Sequence, residues 1–186
     1  MIEIRSTDLA DVIEIVPKRH GDHRGWFSET WNKAAWAEAG IELDWVQDNE
    51  SLSAAVGTMR GIHFQTDPHA QDKLVRVTAG RILDVAVDLR QSSSTFGEWT
   101  GVELSADTGN QLLVPKGFGH GFVTLEPDTK VAYKVSAPYD HPADAGIQAL
   151  DPAIGIDWGI GTDALIISDK DRTAPLLADA THLLFS

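Results

Sequence analysis

His63 is the residue of this chain best suited to take a proton from carbon. It lies in the stretch 60–65, which reads Arg-Gly-Ile-His-Phe-Gln. An imidazole changes its charge near neutral pH, so histidine is the usual general base in that range. A single histidine on a strand is more often a packed structural residue. The catalytic interpretation of His63 therefore depends on its surroundings.

A second stretch, residues 115–122, supports that interpretation. It reads Pro-Lys-Gly-Phe-Gly-His-Gly-Phe, and its proline and glycines allow the tight double bend of a hairpin in a small jelly-roll barrel. Such a bend directs His120 into the barrel. Residues 57–63 repeat the outline, because Gly57 is followed by five residues and then by His63. Together the two stretches predict a jelly roll with two inward histidines.

The metal site common in such barrels is incomplete in this sequence. Metal-binding members carry a second histidine two positions after the first and a glutamate a few positions later. Here Gln65 stands in place of the second histidine, and no glutamate occurs between Gln65 and Gly80. We therefore expect a barrel without a bound metal, in which His63 moves protons.

A catalytic imidazole is usually held by a carboxylate on its other ring nitrogen. Two aspartates are candidates for this partner. Asp84 faces inward by the parity of its predicted strand, and Asp171 lies in the turn 168–172. Each is equally compatible with a solvated turn or a surface pair, so the residues alone leave the choice open.

The two tyrosines of the chain are both candidates for the site. Tyr133 shares one face of a predicted strand with Val131 and Val135. Its phenol is therefore either a general acid or a core residue with a satisfied hydroxyl. Tyr139 follows Pro138 in a loop, where its ring either stacks on a flat ligand or covers the surface.

Four cations are candidates for binding an anionic group, namely Arg24, Arg60, Lys73 and Lys170. A basic cluster in a pocket would select a phosphate or diphosphate, whereas scattered surface charges are the ordinary alternative. Lys73 has a second possible task, because an ammonium beside a carbonyl oxygen stabilises an enolate as it forms. We assign His120 a binding role.

Short strands separated by turns must position these residues. The clearest strand is 81–89, in which leucine and valine alternate with Asp84, Ala86 and Asp88. Further strands are predicted at 12–18, 25–31, 45–53, 73–78, 101–104, 111–114, 121–125 and 129–136.

Helices are few in this pattern. One is predicted at 33–39, with Asn32 as its N-cap and Gly40 at its end. A second short helical piece is predicted at 174–179, and the tail from Asp151 onward is expected to pack across the mouth or side of the barrel. The sequence thus predicts one all-β domain, residues 1–186, with a few short peripheral helices.

The composition limits the classes of function. The chain has 186 residues, 42% of them hydrophobic, and a formal net charge of −13. So acidic a chain disfavours general nucleic-acid binding, which needs a basic face. No run approaches the roughly 20 apolar residues that cross a bilayer, and a secretory signal is not expected. The absence of cysteine excludes disulfides and thiolate metal sites and is consistent with a cytoplasmic protein.

Eight stretches of the chain resemble one enzyme family in the same order. Among them are Asp-His-Arg-Gly-Trp-Phe-Ser-Glu at 22–29, Met-Arg-Gly-Ile-His-Phe-Gln at 59–65 and Ser-Asp-Lys-Asp at 168–171. The others lie at 46–49, 71–77, 84–90, 115–122 and 151–158. The resemblance, from about Val12 to Leu177, is to the dTDP-4-dehydrorhamnose 3,5-epimerases, enzymes of dTDP-L-rhamnose synthesis.

The resemblance implies a role for each candidate. His63 corresponds to the base that takes protons next to the C4 ketone, and Asp171 to its carboxylate partner. Tyr133 corresponds to the acid on the opposite face, and Lys73 to the group that stabilises the enolate. Tyr139 corresponds to the aromatic that stacks on thymine. Positions that hold the nucleotide-sugar are occupied by Arg24, Glu29, Gln47, Asn49, Arg60, His120 and Lys170.

The resemblance further implies a cupin-type jelly roll, a homodimer, and catalysis without metal or cofactor. The implied reaction inverts C3 and C5 of dTDP-4-dehydro-6-deoxy-D-glucose. The sequence departs from the family at three positions. His23 replaces a residue that is usually acidic, Phe64 stands where tyrosine is common, and Asp144 stands where a glutamate often contacts the ligand.

Three other interpretations compete with this one. A single-carbon epimerase, acting at C3 or C5 of a related dTDP-4-keto-deoxysugar, would use the same base. A metal-dependent cupin oxygenase is disfavoured by Gln65. A non-catalytic, sugar-binding jelly roll is disfavoured by the presence of His63, Asp171 and Tyr133 together.

Overall fold

Two antiparallel sheets pack face to face in this computed structural model, which describes residues 2–186. The six-stranded sheet has the order β1-β2-β10-β7-β12-β5, and the five-stranded sheet has the order β13-β6-β11-β8-β9. The remaining strands, β3 and β4, pair only with each other. The strands are β1 Ile2–Ser6, β2 Ile13–Pro17, β3 Arg19–Asp22, β4 Gly25–Ser28, β5 Gln47–Ser53, β6 Met59–Gln65, β7 Lys73–Ala79, β8 Arg81–Asp88, β9 Trp99–Ser105, β10 Gln111–Val114, β11 Phe118–Thr124, β12 Thr129–Val135 and β13 Asp144–Gly146.

Helices are short and peripheral. Within residues 2–186 they are α1 Lys33–Glu38 and α2 Asp169–Arg172, with 3-10 turns at His141–Ala143, Thr162–Ala164, Leu177–Asp179 and Thr181–Leu183. The prediction of an all-β fold with a few short peripheral helices is confirmed, and the facing sheets have the arrangement of a jelly roll. None of these helices is long and apolar enough to cross a membrane.

Alternating side chains from both sheets fill the space between them. Val75 and Val131 of the six-stranded sheet meet Ile82, Ala86 and Leu104 of the five-stranded sheet in one buried cluster. Each of these apolar side chains leaves water when the sheets pack, a gain of about 1.5–3 kcal/mol for a fully buried valine or isoleucine. This cluster closes one end of the barrel, and polar residues occupy the other end.

The C-terminal tail covers the outer face of the five-stranded sheet. Val85 and Val87 of β8 pack there against Ile154, Trp158 and Phe185 of the tail. The side chains of β8 are therefore largely buried on both faces, although its sequence alternates. The expectation that the tail packs across the barrel is confirmed, and the surface it covers is the side of the barrel.

Helix α1 covers the opposite side of the molecule. Its Trp36 is fully buried against Ile15, Leu74 and Leu113, on the outer face of the six-stranded sheet. The Asn32 side chain accepts a hydrogen bond from the backbone N–H of Ala35, which confirms the predicted N-cap.

Most predicted strands agree with the observed ones to within three residues at each end. The prediction of a helical piece at 174–179 is wrong in extent, because only the 3-10 turn Leu177–Asp179 forms there. The four-residue helix α2, just before that segment, was not predicted. Neither was β6, whose Gly61 lowers its strand propensity.

Candidate active site

A cavity of about 590 Å³ lies between the two sheets at the polar end of the barrel. It is lined by side chains of both sheets and of the C-terminal tail. Ten of the twelve predicted site residues contribute to its wall, namely Gln47, Asn49, Arg60, His63, Lys73, His120, Tyr133, Tyr139, Lys170 and Asp171. The fold therefore gathers residues that are far apart in the sequence.

His63 and Asp171 form a hydrogen-bonded pair in this wall. The Nε2 atom of His63 lies 2.7 Å from Oδ1 of Asp171, while Oδ2 accepts a hydrogen bond from the backbone N–H of Gly61. Burial alone would raise the pKa of Asp171, but the hydrogen bonds from His63 and Gly61 lower it below its ordinary value. An ionised Asp171 accepts the proton on Nε2, so Nδ1 carries the lone pair of the ring.

Helix α2 places Asp171 at this position. The Ser168 side chain caps the helix by accepting a hydrogen bond from the Asp171 backbone N–H. The tail that covers the five-stranded sheet thus places the Asp171 carboxylate next to His63 of β6. Of the two carboxylate candidates left open by the sequence, Asp171 is the one that contacts His63.

Tyr133 lies on β12 of the six-stranded sheet, whereas His63 lies on β6 of the five-stranded sheet. Both side chains line the one cavity, on opposite walls. Tyr133 is half-buried, and burial raises the pKa of its phenol, with a smaller lowering effect from Arg60. The hydroxyl therefore remains protonated at neutral pH, as a proton donor must be.

Lys73 is buried in the wall next to His63. Its Nζ donates to the backbone carbonyl oxygen of His63 at 3.2 Å. Burial lowers the pKa of Lys73 to about 8, and the negative charges of Asp84 and Asp144 oppose that effect. An ammonium with one protein acceptor at 3.2 Å has N–H groups left to donate to a ligand.

Asp84, the other sequence candidate, contacts the second histidine. Its Oδ1 lies 2.7 Å from Nε2 of His120. Asp84 is completely buried, and its Oδ2 has no hydrogen-bond partner among residues 2–186. His120 lines the cavity, so Asp84 lies behind it and not in the wall itself.

A β-bulge places Arg60 on the same side as His63. His120 and Phe122 are two positions apart on β11, whereas their partners His63 and Arg60 are three positions apart on β6. The extra residue on β6 forms the bulge. The Arg60 guanidinium donates to the Leu52 carbonyl and to Ser53 Oγ at the edge of the cavity.

Glutamine side chains hold the loop that carries Tyr139. Gln65 donates to the carbonyl of Pro138 and accepts from the backbone N–H of Asp140, and Gln47 accepts from the backbone N–H of Tyr139. The Tyr139 ring itself is 54% exposed at the cavity mouth. Gln65, which replaces a metal ligand of related barrels, thus fixes the backbone of this loop. No pattern in the sequence indicated this role of Gln65.

Asp144 connects the two cavity walls at the mouth. Its Oδ2 accepts from Lys170 Nζ at 2.5 Å and from the Tyr139 hydroxyl at 3.2 Å. The hydrogen bond with Asp144 raises the pKa of Lys170 above its ordinary value. Asp144, for which the sequence suggested only a ligand contact, therefore also joins two predicted ligand-binding residues.

Arg24 and Glu29 do not line this cavity within one chain. Arg24 lies at the tip of the β3–β4 hairpin, where its guanidinium pairs with Asp22. Within the described residues 2–186 the hairpin pairs with no other strand, and it exposes two aromatic side chains, Trp26 at 59% and Phe27 at 70%. The predicted ligand-binding residues Arg24 and Glu29 therefore lie outside this cavity in the single chain.

No group of three or more His, Cys, Asp or Glu side chains is arranged to hold a metal ion within residues 2–186. The two histidines that a metal would need are each engaged by an aspartate through Nε2. Gln65 stands where metal-binding barrels carry a further histidine, and its amide is hydrogen-bonded to backbone groups.

Comparisons with known proteins identify the family of this chain. The family model for dTDP-4-dehydrorhamnose 3,5-epimerase matches residues 6–179. A dTDP-4-dehydrorhamnose 3,5-epimerase of Sinorhizobium fredii is 49% identical over 94% of this chain and 89% of its own length. The crystal structure of a Legionella pneumophila epimerase in complex with dTDP-4-keto-L-rhamnose superposes with a TM-score of 0.94, at 41% identity, covering 100% of this chain and 98% of that one.

A single-carbon enzyme is also among the relatives. The dTDP-4-dehydrorhamnose 3-epimerase of Streptomyces niveus is 37% identical over 96% of this chain and 86% of its own length.

Proposed function

Because the chain belongs to the dTDP-4-dehydrorhamnose 3,5-epimerase family, we propose that it inverts C3 and C5 of dTDP-4-dehydro-6-deoxy-D-glucose to give dTDP-4-dehydro-L-rhamnose. The observation that carries the mechanism is the placement of the His63–Asp171 pair and the Tyr133 phenol on opposite walls of one cavity. Inversion at carbon needs a base on one face of the sugar ring and an acid on the other.

His63 begins each inversion by taking the proton from a carbon next to the C4 ketone. The electron pair of the broken C–H bond moves into the ring, and the carbonyl oxygen becomes an enolate oxygen. Asp171 accepts the Nε2 proton of His63, so it fixes the tautomer that leaves Nδ1 as the base. It also stabilises the imidazolium that proton abstraction produces.

Lys73 stabilises the enolate oxygen. The ammonium is held in the wall beside the base and is shielded from water, which strengthens its attraction for a developing negative charge. Such a donor lowers the barrier to proton abstraction, because the charge it binds is larger in the transition state than in the ketone.

Tyr133 completes the inversion by donating its phenolic proton to the other face of the same carbon. The ketone reforms, Tyr133 becomes a phenolate, and His63 is left as an imidazolium. Exchange of protons with solvent restores both groups, so no net proton is consumed. The same two groups then act at the second carbon.

The nucleotide lies at the cavity mouth in this proposal. Tyr139 presents an exposed ring for stacking on the thymine, and Lys170 and Arg60 supply positive charge for the diphosphate. Gln47, Asn49 and His120 complete the binding wall. Asp144 competes with the diphosphate for Lys170, so ligand binding exchanges one ion pair for another.

Two copies of the chain form the working enzyme in this proposal. Arg24 and Glu29 belong to the exposed β3–β4 hairpin, whose Trp26 and Phe27 present an apolar surface suited to a second copy. Docking of the hairpin on the partner would carry Arg24 and Glu29 towards the partner's cavity.

A complementation experiment tests this arrangement. Arg24→Ala and His63→Ala chains are each expected to be poorly active alone. After mixing, unfolding and refolding, half the dimers are mixed and each contains one intact site, so about a quarter of the wild-type activity should return. Recovery of no activity would place Arg24 in the site of its own chain, and normal activity of Arg24→Ala alone would place Arg24 outside any site.

The proposed reaction requires neither metal nor cofactor. The abstraction, stabilisation and return of the proton use His63, Lys73 and Tyr133 alone, and the Gln65 amide is occupied by the loop it holds. Activity that survives extensive chelation is the expected result, and loss of activity restored by one metal would overturn this part. The absence of cysteine supports a cytoplasmic enzyme.

The single-carbon alternative is favoured by the Streptomyces niveus relative, and isotope exchange separates the two. The enzyme is incubated in D₂O with dTDP-4-dehydro-6-deoxy-D-glucose, and the sugar is examined by NMR. Deuterium at both C3 and C5 with formation of the L-rhamno product is expected. Deuterium at one carbon would establish a single-carbon epimerase, and no exchange with the His63→Ala variant is the control.

A further inference from the structure

Gly146 of β13 lies directly opposite His63 of β6. The neighbouring residues Ile62 and Ile147 exchange two backbone hydrogen bonds, from the Ile62 N–H at 3.3 Å and from the Ile147 N–H at 3.0 Å. Gly146 and His63 therefore form the next, non-hydrogen-bonded pair. In such a pair the two residues approach closely, and side chains leave the sheet on the same face. The mechanism above assigns no role to Gly146.

A side chain at position 146 would lie against the edge of the His63 ring. A Cβ atom added to Gly146 would lie 3.3 Å from Cδ2 of His63 and 2.8 Å from the backbone carbonyl oxygen of Ile62. Real Cβ atoms do not approach a backbone oxygen so closely, so either the strand or the ring would have to move. The φ angle of Gly146 is outside the left-handed region. Lack of space, and not backbone conformation, is therefore what favours glycine here.

The affected edge of the ring carries the atom that contacts Asp171. Cδ2 is bonded to Nε2, and Nε2 lies 2.7 Å from Oδ1 of Asp171, so a push on Cδ2 displaces the hydrogen-bonding atom itself. A hydrogen bond weakens as its distance and angle depart from their preferred values. A second cavity, of about 140 Å³, is lined by Gly146, His63 and Asp171 together with Ala174 and Pro175 of the tail. One space therefore adjoins the glycine, the ring and the carboxylate.

We propose that Gly146 is a positioning residue for the base. Because it presents only a hydrogen atom to the ring edge, β13 leaves the His63 ring in the orientation that the Asp171 carboxylate requires. The lone pair on Nδ1 then keeps one direction. Gly146 acts through His63 and does not line the larger cavity in which the sugar is placed. This inference rests on the proposed role of His63 as the base.

Steady-state kinetics of Gly146→Ala test the effect on turnover. The added methyl group should displace the His63 ring and lower kcat by about tenfold to a hundredfold, because a misplacement of about 1 Å can cost a hundredfold. KM should change little. A displacement of the whole strand would instead move Asp144, which holds Lys170 at the cavity mouth, and would raise KM. A rise in KM without a fall in kcat, or no change in either, would overturn the proposal.

Gly101→Ala is the matched control. Gly101 lies on β9, the other edge strand of the same sheet, and an added Cβ atom there would lie 3.2 Å from Cδ1 of Leu83. Neither residue lines the larger cavity. The control therefore introduces similar crowding against a flexible side chain, and it should leave kcat and KM unchanged. A loss of kcat equal to that of Gly146→Ala would show that crowding anywhere in the sheet has this effect and would overturn the proposal.

NMR of the free enzyme makes the test independent of the reaction. In the wild type, the neutral His63 ring, assigned with His63→Ala, should carry its proton on Nε2. In Gly146→Ala a substantial share of the Nδ1-protonated tautomer should appear, because the bond to Asp171 is weakened. Asp171→Ala should give a similar mixture, and adding Gly146→Ala to that variant should change it little. A ring that keeps its proton on Nε2 in Gly146→Ala would overturn the proposal.

The wild-type enzyme decides the question if Gly146→Ala does not fold. The glycine Hα that points in the direction of the missing Cβ should give a strong nuclear Overhauser effect to Hδ2 of His63. Its absence would show that the ring does not lie against β13 and would refute the inference. Neither NMR result depends on which carbons are inverted. A wild-type enzyme with these NMR properties and no turnover of the keto-sugar would refute the proposed function alone.

Discussion

His63 lies directly opposite His120 across the β6–β11 pair, and each ring contacts an aspartate through Nε2 at 2.7 Å. The two carboxylates come from unrelated elements. Asp171 comes from helix α2 of the C-terminal tail, and Asp84 comes from β8, which lies between β11 and β9 in the five-stranded sheet. The two pairs differ in exposure, because the His63 side chain is 33% exposed and that of His120 is 9% exposed. This difference in exposure supports the proposal that His63 is the base and that His120 has a binding role.

Replacement of His63 by alanine is expected to abolish both the epimerised product and the incorporation of solvent deuterium. The other imidazole that lines the cavity, that of His120, has a proposed binding role and is paired with Asp84 and not with Asp171. The measurement is NMR of the keto-sugar after incubation in D₂O. His182→Ala, on an exposed turn of the tail, is the control and should retain normal exchange. Normal activity of His63→Ala would remove the basis of the whole site assignment.

Tyr133→Phe is expected to separate proton exchange from inversion. His63 can still remove a proton and return a deuteron to the same face, so the substrate should gain deuterium without changing configuration. Net inversion should fall by about a hundredfold to ten-thousandfold, the usual contribution of a general acid. Tyr139→Phe keeps an aromatic ring at the mouth and serves as the control. Full turnover by Tyr133→Phe would exclude the phenol as the acid.

Lys73→Met is expected to reduce kcat far more than it raises KM. The side chain is of similar length and remains buried, but it has no proton to donate to the enolate oxygen. Loss of one such donor costs about a hundredfold to a thousandfold in kcat. Steady-state kinetics together with calorimetric titration of dTDP separates turnover from binding. A variant with unchanged kcat and weakened dTDP binding would assign Lys73 to the nucleotide.

Gln65→Ala is expected to raise KM with a small effect on kcat. Its amide donates to the carbonyls of His69 and Pro138 and accepts from the Asp140 N–H, so its removal loosens the loop that presents Tyr139. A net hydrogen bond is worth about 0.5–1.5 kcal/mol, so a loss of binding free energy equal to one such bond raises KM by about twofold to tenfold. Gln91→Ala, which loses one hydrogen bond to Thr181 far from the cavity, is the control. An unchanged KM would show that the loop holds its shape without Gln65.

Trp158→Ala is expected to destabilise the fold by about 3–5 kcal/mol, the usual cost of removing a large buried aromatic side chain. Trp158 is 3% exposed in the cluster between the tail and the five-stranded sheet, and its Nε1 donates to the Ala149 carbonyl. Chemical denaturation measures the change in the free energy of unfolding. Leu150→Ala, at a partly exposed position nearby, should cost much less. Equal costs would mean that the tail contributes little to the core.

The strands that carry most of the site could be predicted because their side chains alternate. Alternation places Tyr133 on the inner face of β12 and Asp84 on the inner face of β8, and both positions are observed. The N-cap of α1 was predictable for a similarly local reason, since Asn32 satisfies an N–H only three residues away. Local rules succeed where the interaction that decides the structure is itself local.

The choice between Asp84 and Asp171 could not be made from residue types and spacing. The His63–Asp171 contact joins residues 108 positions apart, and its geometry depends on a four-residue helix that has little intrinsic stability. The role of Gln65 could not be predicted for the same reason, because only the folded barrel brings its partners at 138–140 next to it. The resemblance to a family identified Asp171, which shows how much of that information is tertiary.

The proposed base, His63, obtains its carboxylate partner from the C-terminal tail. The segment that shields Val85 and Val87 from water is the same one that brings Asp171 to His63. During synthesis, β6 with His63 leaves the ribosome about a hundred residues before Asp171. Until the tail has been made, the His63 imidazole has no carboxylate partner and the apolar outer face of the five-stranded sheet is exposed to water. Proton chemistry therefore begins only when the molecule is also protected against aggregation.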